Sequence, residues 1–274
     1  MCVLIFYLNP SETSPKGYKL ILISIRDELF VRPTAPAHLW SKDPNLIGGM
    51  DLEPGREGGA WLIFNKNGRF ASLLNILQRD EELLAGKRGR GFLVVDFAKS
   101  SSTITPDEYA QSLYKDRENF NGFTLVCVDL KQAYGSYFCS MGDMEVQNLG
   151  AGYHAFGNSI LPRQWPKVVA GKEKFEEVVE KNKHDEKLLE EALFDLMNDE
   201  TNHGVDEFMR KQTDEPQDLL TLRGALKFYI KEFNYGSRTH TVVLIRGDGS
   251  ASYSEKTVED GKWVERRTDF QLNL

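Results

Sequence analysis

The chain has 274 residues, 41% of them hydrophobic and sixteen of them Phe, enough apolar side chain for a sizeable core in one domain over residues 1–274. Its net charge of −7 leaves no basic excess to replace phosphate counterions, which excludes general nucleic-acid binding. Cys2, Cys127 and Cys139 form neither a disulfide framework nor a zinc pattern, and no run approaches the length of a membrane span, so a soluble intracellular protein is expected.

A cysteine stands directly behind the initiator methionine and leads into the apolar run Val3 to Leu8. Removal of Met1 is sterically easy before so small a residue and would give Cys2 a free α-amine, whose ordinary pKa is about 7.7–8.0. A partly neutral amine beside a thiol is a base beside a nucleophile. Free cysteine also serves as small core filler, so the residue alone does not decide.

Asn9 to Gly17 reads as the turn of a hairpin, and a second apolar run, Leu20 to Ile25, ends in Arg26-Asp27-Glu28. Both strands are apolar on each face, which predicts a sheet covered on both sides. Residues 29–59, punctuated by Pro33, Pro36, Pro44 and Pro54 and by two glycine pairs, read as loop. A hairpin follows, Ala60 to Phe64 and Arg69 to Asn75 about an Asn67-Gly68 turn.

Leu77 to Gly91 is charged and holds Lys87-Arg88-Gly89-Arg90-Gly91. This patch reads either as a solvated loop or as arginines and backbone N–H groups that hold a carboxylate or phosphate. Thr105-Pro106-Asp107-Glu108 is a capping box that starts a helix, with Tyr109 and Leu113 on its inner face. Gly122 to Leu130 and Tyr134 to Met141 read as strands with Cys127 and Cys139 in the core, and Tyr153 to Asn158 as a short strand. Two helices, Gln164 to Lys181 and His184 to Asn198, carry apolar residues at helical spacing, including Leu188 and Leu189 in the second. Thr201 to Thr221 is acidic and reads as a surface loop, before closing strands at Thr239 to Arg246, Ala251 to Thr257 and Lys262 to Leu272.

Six short motifs carry a resemblance. Met1-Cys2, Arg26-Asp27-Glu28, Glu57-Gly58-Gly59-Ala60-Trp61-Leu62, Arg88-Gly89-Arg90-Gly91, Asn121-Gly122-Phe123 and Gly236-Ser237-Arg238-Thr239 together resemble the Transport and Golgi organisation 2 family. Its members are also called NRDE proteins after an Asn-Arg-Asp-Glu signature, and the likeness spans essentially the whole chain. One departure is plain: the signature asparagine is Ile25 here.

The resemblance implies an α+β fold, a four-layer αββα sandwich of the N-terminal nucleophile hydrolase type. It implies Cys2 as a nucleophile, Arg26 and Asp27 as supporting charges, Asn75 and Asn158 as polar groups near an oxyanion, and Arg238 as a late arginine of the site. It also implies a haem chaperone that takes haem from mitochondria or storage organelles to haem-accepting proteins, in the cytoplasm or in contact with mitochondria or the secretory pathway. Haem propionates are then expected to meet Arg88 or Arg90. The alternative is a cysteine amidase or thioesterase acting on acylated amines or acyl-coenzyme A. There is no Cys-x-x-Cys-His run, and the five histidines are scattered, so no axial ligand is named. Under either function the six side chains are expected to line one cavity, with the thiol pKa of Cys2 lowered by the surrounding positive charge.

Overall fold

The computed structural model of the protein describes residues 2–273, so the fate of Met1 lies outside the described residues. In chain order the strands begin with β1 (Val3–Leu8), β2 (Tyr18–Leu29), β3 (Thr34–Trp40), β4 (Asp43–Asp51), β5 (Leu62–Asn65) and β6 (Arg69–Asn75). Helices α1 (Gly91–Lys99) and α2 (Pro106–Asp116) come next, then β7 (Phe123–Asp129), β8 (Tyr134–Cys139), β9 (Gln147–Leu149) and β10 (Gly152–Phe156). Helices α3 (Pro166–Asn182), α4 (Glu186–Met197), α5 (Glu207–Lys211) and α6 (Gln217–Leu222) precede β11 (Tyr229–Ile230), β12 (Tyr235–Arg246), β13 (Ser250–Glu259) and β14 (Lys262–Gln271).

The strands form two antiparallel sheets. The first runs β10-β1-β2-β12-β13-β14, with β11 also on β12, and the second runs β3 through β9 in sequence order. Strand alternation divides the apolar residues between layers. Leu4, Phe6, Leu20 and Leu22 face Phe64, Phe70 and Val126 of the second sheet. Val3, Ile5, Ile21, Ile23 and Ile25 point the other way, onto Phe175, Leu189 and Leu193 of α3 and α4. On the far side, Ile63, Ala71 and Leu125 pack against Leu93, Val94 and Phe97 of α1 and Ala110 of α2. The result is the four-layer αββα sandwich that doubly apolar strands require. Cys127 and Cys139 are buried, and the Thr105 capping box at the start of α2 is formed.

Four details differ from the sequence reading. Residues 29–59 hold β3 and β4 instead of loop alone. Pro36 is tolerated because β3 is the sheet's edge and its register with β4 shifts between Ala35 and His38. Gly49 belongs to β4 because a Cβ there would lie 2.3 Å from the Trp61 ring. Residues 92–99, left unassigned by the sequence pattern, form most of α1. Leu188 is 53% exposed, and the inner face of α4 is completed by Phe194 and Met197. Thr201 to Thr221 is no open loop: it contains α5 and α6, and Met209 and Leu220 anchor it to the outer core of the first sheet.

A polar tie joins the sheets near one end. Glu255 on β13 accepts the N–H of Ala37 on β3 at 2.9 Å. Burial pushes the Glu255 carboxyl up to about 7, while that hydrogen bond opposes the rise. A carboxyl whose pKa is raised by folding stabilises most below its unfolded pKa, and the gain is lost as pH rises through the folded value. The native protein should therefore lose stability relative to Glu255→Gln between about pH 4.5 and pH 7.5, by roughly 3 kcal/mol at most. Urea melts of both proteins across that window measure the difference.

Candidate functional site

The doubly covered strands β1 and β2 carry their charge near their ends, and several strand ends meet at one mouth of the sandwich. Cys2 precedes β1, Arg26 to Glu28 close β2, Asn75 closes β6, and Arg88 to Gly91 lead into α1. All of these line a cavity of about 320 Å³, together with Trp61, Arg32, Asp51 and Arg56. Six basic side chains (Arg26, Arg32, Arg56, Lys87, Arg88, Arg90) face three carboxylates there (Asp27, Glu28, Asp51).

Cys2 and Arg26 share the strand parity that points between the sheets, whereas Asp27 has the opposite parity, toward α3. The Cys2 thiol accordingly meets the backbone carbonyl of Asp27, at 3.9 Å. Arg26 is 5% exposed. Its guanidinium lies 4.1 Å over the Trp61 ring, and Nη2 donates to Glu28 Oε2 at 3.4 Å, while Nη1 has no hydrogen-bond partner among the described residues. Arg32 donates through Nε and Nη2 to Asp51 at 3.2 and 2.7 Å, a two-pronged pair.

Arg90 donates to the Gly122 carbonyl at 2.6 Å. Burial, then repulsion from Arg56 and Arg32, brings its pKa down to about 10. Arg88 is more exposed, pairing with Asp116 at 2.7 Å and lying over Phe120. The start of α1 is pressed against the segment before β5: a Cβ on Gly91 would lie 3.1 Å from the Gly59 Cα, and Ala60 N–H donates to the Gly91 carbonyl at 2.9 Å.

Of the six side chains expected in one cavity, Cys2, Arg26, Asp27 and Asn75 line it, and Asn158 and Arg238 do not. Asn158 stands behind Asn75, donating from Nδ2 to the Asn75 carbonyl at 2.5 Å. Its own carbonyl accepts from Leu77 N–H at 2.9 Å. Arg238 falls where the register of β12 on β2 shifts between Ser237 and Thr239. That bulge turns its guanidinium onto the carbonyls of Leu29 and Arg32, at 3.1 and 2.6 Å. It pins the turn that carries Arg32 and does not reach the thiol.

The expected lowering of the thiol pKa is also overturned. Burial raises it; the chain's amino terminus pulls it down, the Asp27 carboxylate pushes it up, and Arg26 contributes only a small lowering. The sequence reading also missed Gln212 and Lys167. Gln212 donates to the carbonyls of Leu77 and Asn158 at 3.1 and 3.3 Å and so fixes the strand end beside Asn75. Lys167, fully buried, donates to the Ala225 carbonyl at 3.1 Å, and burial brings its pKa down to about 8. A lysine in a first helical turn ordinarily reads as surface, so nothing in the sequence marks it.

A second cavity of about 500 Å³ adjoins the first, sharing Asn75 and Arg90, with Ile76, Leu77, Leu83, Leu219 and Phe233 on its walls beside Asp80, Asp214 and Glu215. A larger one of about 600 Å³, beside β11 and β14, contains none of the candidate residues.

With its thiol raised, Cys2 should alkylate more slowly at pH 7.5 than a free cysteine of pKa about 8.5. Asp27→Asn removes a charge that opposes the thiolate and should speed the reaction. Mass spectrometry of iodoacetamide-treated protein reads both, with buried Cys127 and Cys139 as unreactive internal controls.

The architecture recurs in a solved structure. A crystal structure of a mutant conjugated bile acid hydrolase from Clostridium perfringens aligns with a TM-score of 0.50 at 10% identity, over 100% of this chain and 97% of that chain. This identifies the fold as the αββα sandwich of the N-terminal nucleophile hydrolase type. Transport and Golgi organization protein 2 homolog from Homo sapiens is 31% identical over 280 residues, 99% of each chain. Transport and Golgi organization protein 2 from Drosophila melanogaster is 32% identical over 288 residues, again 99% of each. Residues 1–260 match the sequence model of the Transport and Golgi organisation 2 family, and this chain belongs to it.

Proposed function

We propose that the protein carries haem as transferable cargo and hands it to haem-accepting proteins. The observation that supports this reading is the shared wall between the two cavities. Arg90 and Asn75 line both the basic cavity and the one of about 500 Å³, whose walls combine Ile76, Leu77, Leu83, Leu219 and Phe233 with the carboxylates Asp80, Asp214 and Glu215. An apolar ring bearing two carboxylates asks for such a pairing: apolar walls for the ring and guanidinium groups for the propionates. On this reading Arg90, which lines both cavities, is the propionate partner, while Arg88 lines only the basic cavity and is paired with Asp116.

Haem titrated into the purified protein should give a shifted Soret band that moves on when apo-myoglobin is added. Arg90→Gln should weaken binding about tenfold, the loss of one charge-assisted contact. An unshifted Soret band at micromolar haem removes this reading.

A second reading, an N-terminal cysteine hydrolase acting on acylated amines or acyl-coenzyme A, is supported by the placement of Cys2 at the wall of the basic cavity beside Asn75. Once Met1 is removed, the Cys2 amine accepts the thiol proton and the sulfur attacks the acyl carbonyl, forming a thioester as the amine or thiol leaves with that proton. Water then cleaves the thioester and frees the acid. Cys2→Ala should abolish turnover in an acyl-hydrolysis assay, and intact mass should show Met1 absent. Retention of Met1, or turnover unchanged by Cys2→Ala, eliminates the mechanism.

A further inference from the structure

We propose that the cavity of about 600 Å³ beside β11 and β14 binds a planar aromatic carboxylate of one or two rings. The site goes beyond the haem and hydrolase readings, since it shares no lining residue with the two cavities on which they rest.

The cavity opens where the helical layer of the first sheet ends. Helices α3 and α4 pack on β1, β2 and β12, with Val242 and Leu244 of β12 facing them. Register carries that same face outward, through His240 and Lys256 to Val258 of β13 and Trp263 of β14. Val258 and Trp263 line one side of the cavity; Phe228 and Tyr229, at the entry to β11, line another, and Phe30 enters from the turn after β2. A concave site of this volume suits a small molecule.

The way the rings are held sets which kind. Trp263 is 42% exposed, yet its ring centroid lies 4.8 Å from that of the buried His240 imidazole, with the planes 40° apart. Tyr229 is 50% exposed, yet its ring stands edge-on to Phe30 at 5.3 Å and its hydroxyl donates to Asn234 Oδ1 at 3.0 Å. Exposed rings fixed from behind lose little freedom when another ring is laid against them. They also supply the stacked and edge-on geometries in which aromatic pairs gain beyond simple burial. An alkyl chain of equal area makes no such contact and must be ordered to fit.

Charge selects the other end of the ligand. Lys227 Nζ donates to Glu200 at 2.8 Å, which uses one of the three donors an ammonium carries. Glu200 is the outer partner, its side chain 69% exposed against 28% for Lys227, so donors of Lys227 are left for a carboxylate in the cavity. The back wall carries a field of the same sign. Burial, then Lys227 and Lys256, brings the pKa of His240 down to about 3. A set of aromatic walls also suits a quaternary ammonium, but two lysines oppose a cation here and favour an anion.

Isothermal titration of 2-naphthoate into the full-length protein tests the site, with decanoate and 2-naphthylmethanol as comparators. Saturable binding of 2-naphthoate is expected, about tenfold tighter than either comparator. Trp263→Leu and Tyr229→Leu should each weaken it roughly fivefold with little change in melting temperature, because both rings are exposed. Lys227→Gln should erase the preference for 2-naphthoate over 2-naphthylmethanol, a selective loss that misfolding would not produce. Arg90→Gln, which weakens haem binding under the reading above, should leave 2-naphthoate binding unchanged. Absence of saturation, equal affinity for decanoate, full affinity in both ring variants, a preference that survives Lys227→Gln, or weakening by Arg90→Gln each overturns the proposal. The readout needs neither haem nor turnover, so its failure and the failure of either functional reading are separable.

Discussion

Coverage on both faces is the constraint from which the arrangement follows. Strands β1 and β2 bury Leu4, Phe6 and Leu22 on one side and Ile5, Ile21 and Ile23 on the other. A charge in the middle of such a strand would have no water and little chance of a partner. In these two strands charge enters near the ends, and β2 delivers Arg26, Asp27 and Glu28 in succession where it leaves the sandwich. The antiparallel hairpin brings the chain start to the same end, since Val3 pairs with Ile25. The site's location follows from the burial pattern of two neighbouring strands.

Parity then separates the charges. Arg26 is directed between the sheets, where it needs Trp61 as a lid, and Trp61 in turn needs Gly49 across the sheet to make room. Asp27 is directed toward the helical layer, within electrostatic reach of Lys167 and Tyr235. The thiol of Cys2 thus donates to the backbone carbonyl of Asp27. An adjacent Arg-Asp pair on a strand serves two layers at once, and this is why neither residue acts on the sulfur alone.

Much of this was legible in the residues. Continuous apolar runs predicted covered strands, the Thr105 box predicted α2, and Cys2, Arg26, Asp27 and Asn75 stand at strand ends that line one cavity. What escaped was long-range. The second sheet's edge was hidden because prolines that disqualify an inner strand are harmless beside a register shift, as at Pro36. Arg238 looked like a site residue, but a bulge visible only in the pairing of β12 with β2 aims it at Leu29 and Arg32. Asn158 looked like an oxyanion group and proves to brace Asn75 from behind. The direction of the thiol's shift depends on burial by neighbours far along the chain, and counting local charges gives it the wrong sign.

The same burial bears on what the cavity can do. A thiol held protonated is a poor nucleophile and a soft, neutral wall for a bound ligand. A thiol assisted by its own neutral amine is neither, because the amine takes the proton at the moment of attack. The difference between carrier and hydrolase on this scaffold is thus concentrated in one proton and one peptide bond, that between Met1 and Cys2. The arginine wall is common to both, since a propionate and an anionic acyl compound each need positive charge at the mouth. With Asp51 bound by Arg32 and Glu28 shared, that wall keeps its excess of positive charge in a chain whose net charge is −7, so the field in the cavity opposes that of the rest of the molecule.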